Sequence, residues 1–281
     1  MGLPIKQPPF QNVAPGQTCT IPRLDMGDTC DALLLKLSGK INGVTDFAVD
    51  HLDSIRTKLG GKAVVDGLSG GEFQIINKFM DRHTSTTFLM IQFADNVART
   101  ISGEDMGAID TTLGYSSFSM EVDIAAGDGA PALECWMVKS APKPDGQTKA
   151  LFRAYTKSVE NFNAAATFSL APALGSMAGN ILPRLHIFTP NNRIDRLDVK
   201  KNGVEIQGDG EKAVIEFLNG TTRTAQAGHI CYDPCYSNNQ SDSITTIRKN
   251  GTPSNIEFRA SLSAAETLTE VAELYTVLNR I

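Results

Sequence analysis

Leu52-Asp53-Ser54-Ile55-Arg56-Thr57-Lys58-Leu59-Gly60-Gly61 and Ile194-Asp195-Arg196-Leu197-Asp198-Val199-Lys200-Lys201-Asn202-Gly203 are two versions of one stretch, 142 positions apart. Each reads as a strand running into a tight turn. Gly60-Gly61 and Asn202-Gly203 supply the positive φ angles that a two-residue hairpin requires, so both copies are predicted to turn at the same place for the same physical reason.

Three further pairs extend the repeat in the same order. Thr18-Cys19-Thr20-Ile21 matches Thr167-Phe168-Ser169-Leu170 at a separation of 149, as a first strand. Glu72 to Phe79 matches Glu211 to Leu218 at 139, as a short helix. In the first copy Ile75, Ile76, Phe79 and Met80 fall on one helical face, and in the second Val214, Ile215 and Leu218 do, with Asn219-Gly220 suited to a helix end. Phe118 to Ile124 and Ile256 to Leu262, 138 apart, alternate apolar and polar residues without a break, the pattern of half-buried antiparallel strands. Each is followed by another strand, Leu133 to Val138 and Ala272 to Val277, with Trp136 in one and Tyr275 in the other.

An offset that drifts by about ten residues while the order holds is the mark of a tandem duplication whose loops changed length. The 281 residues suit two domains of about 140 each. Ser140 to Gln147, with two prolines and a glycine, has linker composition, so the predicted domains are 1–145 and 146–281. Further apolar strands are read at Ala32 to Leu37, Phe88 to Phe93 and Arg184 to Phe188, giving about eight per half with one short helix. The predicted fold class is all-β: two tandem eight-stranded jelly rolls.

Composition narrows the function. The first thirty residues lack a basic-plus-apolar signal and no run of eighteen apolar residues occurs, so neither export nor membrane spanning is expected. Met1-Gly2 would need Ser or Thr where Lys6 stands to read as a lipidation signal. Cys19, Cys30, Cys135, Cys231 and Cys235 are odd in number and mostly scattered, which predicts reduced, buried thiols rather than a disulfide framework or a zinc site. With a net charge of −5 and only Lys6 in the proline-rich segment from Pro4 to Pro15, direct nucleic-acid binding is not expected.

No catalytic residue is expected. Gly67-Leu68-Ser69-Gly70-Gly71 fits the spacing of a serine nucleophile elbow between a strand and a helix. Ser69 equally fits the N-cap of that helix, with Glu72 completing a capping box. The repeat favours the cap: the equivalent position holds Asp209, which can cap a helix but cannot be a serine nucleophile. His51, His83, His186 and His229 are isolated, with no paired spacing for a metal, and Gly60-Gly61-Lys62 lacks the rest of a phosphate loop. No cofactor is expected. Asp233, Asn238, Asn239 and Asp242, or Asp25 and Asp28, offer oxygen ligands of the kind calcium takes, although such clusters also simply turn the chain.

The residues in this order resemble the double jelly-roll coat proteins of tailless, membrane-containing icosahedral bacteriophages, the corticovirus-like and autolykivirus-like group that shares a lineage with the adenovirus hexon. The resemblance rests on Pro9-Phe10-Gln11-Asn12-Val13-Ala14-Pro15-Gly16-Gln17-Thr18, on Gly70-Gly71-Glu72, on Leu182-Pro183-Arg184-Leu185, and on Ile194-Asp195-Arg196-Leu197 with Lys201-Asn202-Gly203. It implies a major capsid protein, not an enzyme, whose homotrimers form pseudohexagonal capsomers over an internal membrane. It also implies neighbouring trimers, minor capsid, vertex and membrane proteins as partners, a place in the virion, and synthesis and assembly in the host cytoplasm. The alternatives are a tandem β-sandwich glycan-binding protein or a tandem-barrel enzyme. One Trp and five Tyr give little aromatic surface for either.

Overall fold

The computed structural model describes residues 2–98, 100–146, 148–175, 179–208 and 210–281. The first roll runs through β1 (Leu3–Lys6), β2 (Thr18–Ile21), β3 (Thr29–Gly39), β4 (Leu52–Leu59), β5 (Lys62–Leu68), α1 (Gly70–Phe79), β6 (Phe88–Gln92), α2 (Ile101–Met106), β7 (Ile109–Asp110), β8 (Phe118–Ile124) and β9 (Pro131–Ser140). The second runs through β10 (Phe152–Phe162), β11 (Thr167–Leu170), β12 (Ile181–Phe188), β13 (Ile194–Lys201), β14 (Val204–Gln207), α3 (Lys212–Asn219), β15 (His229–Tyr232), β16 (Ile244–Thr245), β17 (Ile256–Leu262) and β18 (Glu266–Thr276).

Each roll is a sandwich of two four-stranded sheets, and the strand orders are copies of each other. In the first roll β1-β9-β3-β6 faces β2-β8-β4-β5; in the second β10-β18-β12-β15 faces β11-β17-β13-β14. The short strands β7 and β16 attach to β3 and β12. The predicted hairpins turn where expected, with positive φ at Gly60, Gly61, Asn202 and Gly203. Strict alternation holds in β8, whose apolar residues are all buried and whose polar residues are half-exposed.

The rolls are not separate beads. β5 of the first meets β10 of the second in parallel, Val65 opposite Tyr155, so one sheet of each roll fuses into a single continuous sheet. Phe152, Ala154, Tyr155, Phe188 and Val271 of the second roll complete the core of the first. A second core, built on Leu185, Leu197, Phe258 and Leu274, fills the second sandwich.

Beyond the short strands β7, β15 and β16, which are not read from the sequence, two more lie outside the predicted set. The proline-rich opening segment forms β1, paired with β9 although all four of its residues are exposed. β10, eleven residues long, pairs along its whole length with β18. Its alternation is hidden because each face meets a different polar setting: Thr156, Ser158 and Glu160 on one side, Arg153 and Lys157 on the other.

The helices match at a different register from the predicted one. Asn77 Nδ2 donates to the Met90 carbonyl at 2.8 Å and Asn219 Nδ2 donates to the Cys231 carbonyl at 3.0 Å. The same helix-to-strand bond therefore recurs with its donors 142 and its acceptors 141 positions apart, so the helices match at the offset of the hairpin rather than at the 139 that the apolar pattern suggested. In α1, Phe73, Ile76 and Phe79 are buried with the adjoining Met80, while Ile75 is half-exposed. In α3 only Ile215 of the predicted face is buried; Val214 and Leu218 are exposed and Phe217 is 80% exposed.

Candidate functional site

Ser69 caps α1. Its Oγ accepts from the Glu72 amide at 3.2 Å while the Glu72 carboxylate accepts from the Ser69 amide at 2.7 Å, a complete capping box. The hydroxyl serves the helix start. Asp209 lies outside the described residues; the N-cap of α3 is Glu211, which makes no side-chain cap bond. All five cysteines are free and buried. Burial pushes the Cys19 and Cys135 thiols up to about 12 and Cys235 to about 11, far from the thiolate that a nucleophile needs.

The residues offered to calcium are engaged by other groups of the protein. One oxygen of Asp233 accepts from Arg184 Nε at 3.2 Å and from Arg223 Nε at 2.8 Å, and Asn238 accepts from Arg223 at 2.8 Å. Asn239 accepts from the Ser241 amide, and Asp242 from Ser237. Asp25 and Asp28 flank the Lys139 ammonium at 3.8 and 3.5 Å. Among the described residues, no three His, Cys, Asp or Glu side chains are grouped to hold a metal ion.

The densest chemistry lies in the layer between the rolls. β18 sends Leu268, Ala272 and Leu274 into the second core and Val271 toward the first. On that latter face Glu273 and Tyr275 meet Arg153 of β10 and Arg184 of β12, all without exposed surface. Arg184 lies 3.2 Å from Glu273 and 3.6 Å from Asp95 of the first roll; Arg153 lies 3.0 Å from Asp95 and donates to the Tyr275 hydroxyl at 3.0 Å. Gln240 donates to Asp95 at 2.7 Å from the second roll. Burial alone would raise the Asp95 carboxyl, but Arg184 and Arg153 hold it down at about 2. Burial likewise opposes the Glu273 charge, and Arg153, Arg184 and His186 hold that carboxyl well below its ordinary value.

His186 and His229, isolated in sequence, meet here at 3.0 Å, with the other ring nitrogen of His186 3.1 Å from Glu273. A carboxylate accepts only, so that nitrogen carries hydrogen, and the two imidazoles share the hydrogen between them. Phe79 of the first roll packs edge-on against both rings. Only the antiparallel pairing of β12 with β15 brings these histidines together, and nothing in their spacing signals it. The arrangement binds the two sandwiches through paired charges.

The viral coat protein P2 N-terminal domain family matches residues 4–140, and the viral coat protein P2 C-terminal domain family matches residues 152–278. The chain belongs to the viral coat protein P2 family. This coat protein is a virion component that associates with copies of itself in the shell, and the glycan-binding and enzymatic alternatives give way to that role. No curated protein sequence matches the chain. Its fold matches the major capsid protein P2 from bacteriophage PM2 at TM-score 0.83 and 17% identity, covering 100% of this chain and 99% of that one. The STIV MCP matches at TM-score 0.68 and 10% identity, over 99% and 97% of the two chains. The PBCV-1 virus capsid protein matches at 0.58 and 9%, over 98% and 93%. At these identities the likeness is one of fold, and that fold is the double jelly roll.

Proposed function

We propose that three copies of this coat protein close a pseudohexagonal capsomer and that these trimers tile an icosahedral shell over an internal membrane. The observation that carries the reading is the duplication: two rolls of equal topology, locked side by side by the fused sheet, are two sixths of a ring. Rotation about one axis by three chains supplies the other four, as closed symmetric assemblies do. The internal membrane is supported by charge. A shell lying against a genome needs cations, whereas this chain carries −5 overall and only Lys6 in β1. Minor capsid, vertex and membrane proteins are the partners such a shell requires, with synthesis and assembly in the cytoplasm of a bacterial host.

Electron cryomicroscopy of particles containing this protein tests the reading. Three-chain capsomers with a bilayer beneath the shell are expected. Six-chain capsomers, or a shell directly against nucleic acid, would contradict it.

A further inference from the structure

The two rolls point the same way, because β5 and β10 run parallel where their sheets fuse. Like ends of the two rolls therefore lie on one side of the molecule, and the two ends differ in charge.

At one end of the second roll three connections meet: β11 to β12, the β13–β14 turn, and β16 to β17. Lys201 donates to the Thr245 hydroxyl at 3.2 Å, and Arg248 Nε donates to Asn202 Oδ1 at 3.0 Å. Arg280 donates to the Gly179 carbonyl at 2.8 Å, and the Gly179 amide donates to the Thr246 hydroxyl at 3.3 Å. Lys249 follows, exposed like Arg248. These cations gather around residues 245–249. The neighbouring carboxylates Glu205 and Glu257 face Lys200 and Arg259 instead, at 3.8 and 3.2 Å. Among the described residues, no carboxylate pairs with Lys201, Arg248, Lys249 or Arg280.

The setting is particular to this roll. Asn202 Oδ1 also accepts from the Asn255 amide at 3.0 Å, and Ile247 bridges to Pro253, so the loop that carries Arg248 and Lys249 is held in place. The equivalent of Asn202 in the first roll is Gly60, where a Cβ would lie 2.8 Å from Leu278. The C-terminal segment covers that turn, and Lys62 donates to the Ile281 carbonyl. Other cations at that end of the first roll are matched by acids: Lys139 lies between Asp25 and Asp28, and Lys149 pairs with Asp145.

The opposite end of the molecule carries the reverse sign. Asp46, Asp50, Asp81 and Asp128 are exposed in its connections, against Arg193 and a Lys40 that pairs with Asp46.

We propose that Lys201, Arg248, Lys249 and Arg280 form a docking site for anionic phospholipid headgroups, and that this end of the chain faces the bilayer beneath the shell. The proposal rests on the internal-membrane reading, in which the bilayer separates the shell from the genome and is the polyanion within reach. A headgroup surface is flat, so a compact cluster at a blunt end meets several phosphates without needing a groove. Each basic side chain near such a surface raises affinity about fivefold. Rolls that stand side by side and point one way place every copy of the cluster on the same face of a capsomer, so the copies act together.

The test is flotation of the purified full-length protein with vesicles. The parent should float with vesicles of phosphatidylglycerol and phosphatidylcholine, stay behind with phosphatidylcholine alone, and be released as salt rises. Lys201→Gln, Arg248→Gln and Lys249→Gln together should weaken binding on the order of a hundredfold. Lys40→Gln, Lys78→Gln and Arg193→Gln together make the same change in net charge away from this end and should leave binding as it was. Lys249→Glu, at a side chain that bonds to no other among the described residues, puts the fold least at risk and should also weaken binding. Equal losses in the two triple variants would overturn the site by showing that net charge alone governs binding. A parent that does not float would overturn it as well, while microscopy of particles would still decide whether a bilayer lies beneath the shell. Duplex DNA held as tightly as the anionic vesicles, and lost in the first triple variant, would overturn the lipid assignment in favour of a surface that faces the genome.

Discussion

Arg184 and Glu273 face each other at 3.2 Å with neither side chain reaching solvent. Arg184 also serves Asp233 and Asp95, so its removal leaves three carboxylates short of a partner in a layer from which water is excluded. Losing one partner of a buried pair costs more than the pair contributes, because the remaining charge stays desolvated. Arg184→Met should lower stability by about 3–5 kcal/mol in urea unfolding. A loss below about 1 kcal/mol, the range of exposed pairs, would mean that this layer does not hold the rolls together.

Two buried groups pull stability in opposite directions across mild acid. Burial, then the neighbouring His186 and Lys212, holds His229 well below its ordinary value of 6.5. The unfolded chain accepts a proton there that the folded chain refuses, so stability present above pH 6.5 is lost as pH falls. Burial, then the Glu160 charge, pushes Glu270 from 4.5 up to about 7. That side chain keeps a proton which the unfolded chain has released, so its contribution is present below pH 4.5 and lost toward about 7. Between 4.5 and 6.5 the slopes, each at most about 1.4 kcal/mol per pH unit, oppose each other. Glu270→Gln should unmask the histidine: the melting temperature of the variant should drop more steeply than that of the parent between pH 6.5 and 4.5. Parallel curves for variant and parent would rule this out.

The start of α1 gives a graded pair of substitutions. Ser69→Ala removes one half of the capping box and should cost about 1 kcal/mol. Glu72→Ala removes the other half together with the ion pair that Glu72 makes with Lys157 of β10 at 2.7 Å. It should cost about 0.5–1 kcal/mol more than Ser69→Ala in the same thermal melts. The reverse order would show that the tie between α1 and β10 carries no stability. Covalent capture of Ser69 by a serine-directed reagent would contradict its role as a cap.

What the sequence disclosed depended on how uniform each element's surroundings are. β8 and β17 were readable because one face of each packs on a core and the other faces out, so polarity alternates. The hairpins were readable from Gly60-Gly61 and Asn202-Gly203, where backbone geometry restricts the residue type. β10 was hidden because both of its faces carry polar side chains, Thr156, Ser158 and Glu160 on one and Arg153 and Lys157 on the other, so polarity does not alternate along it. β1 was hidden because all four of its residues are exposed, so no contrast between a buried and an outward face marks it. The junction network escaped for another reason: Asp95, Arg153, Arg184 and Glu273 lie far apart in the chain and are joined only by strand pairing across the duplication. The apolar pattern of α3 was visible, but pattern alone cannot say whether a face is buried by its own chain or bare, as Phe217 is.

The central claim, that this coat protein works as a closed ring of three, is tested most directly by the mass of the soluble protein. Light scattering at micromolar concentration should give three times the 30.2 kDa chain, about 91 kDa, with no free chain. A stable, well-folded species of 30.2 kDa under the same conditions would contradict it.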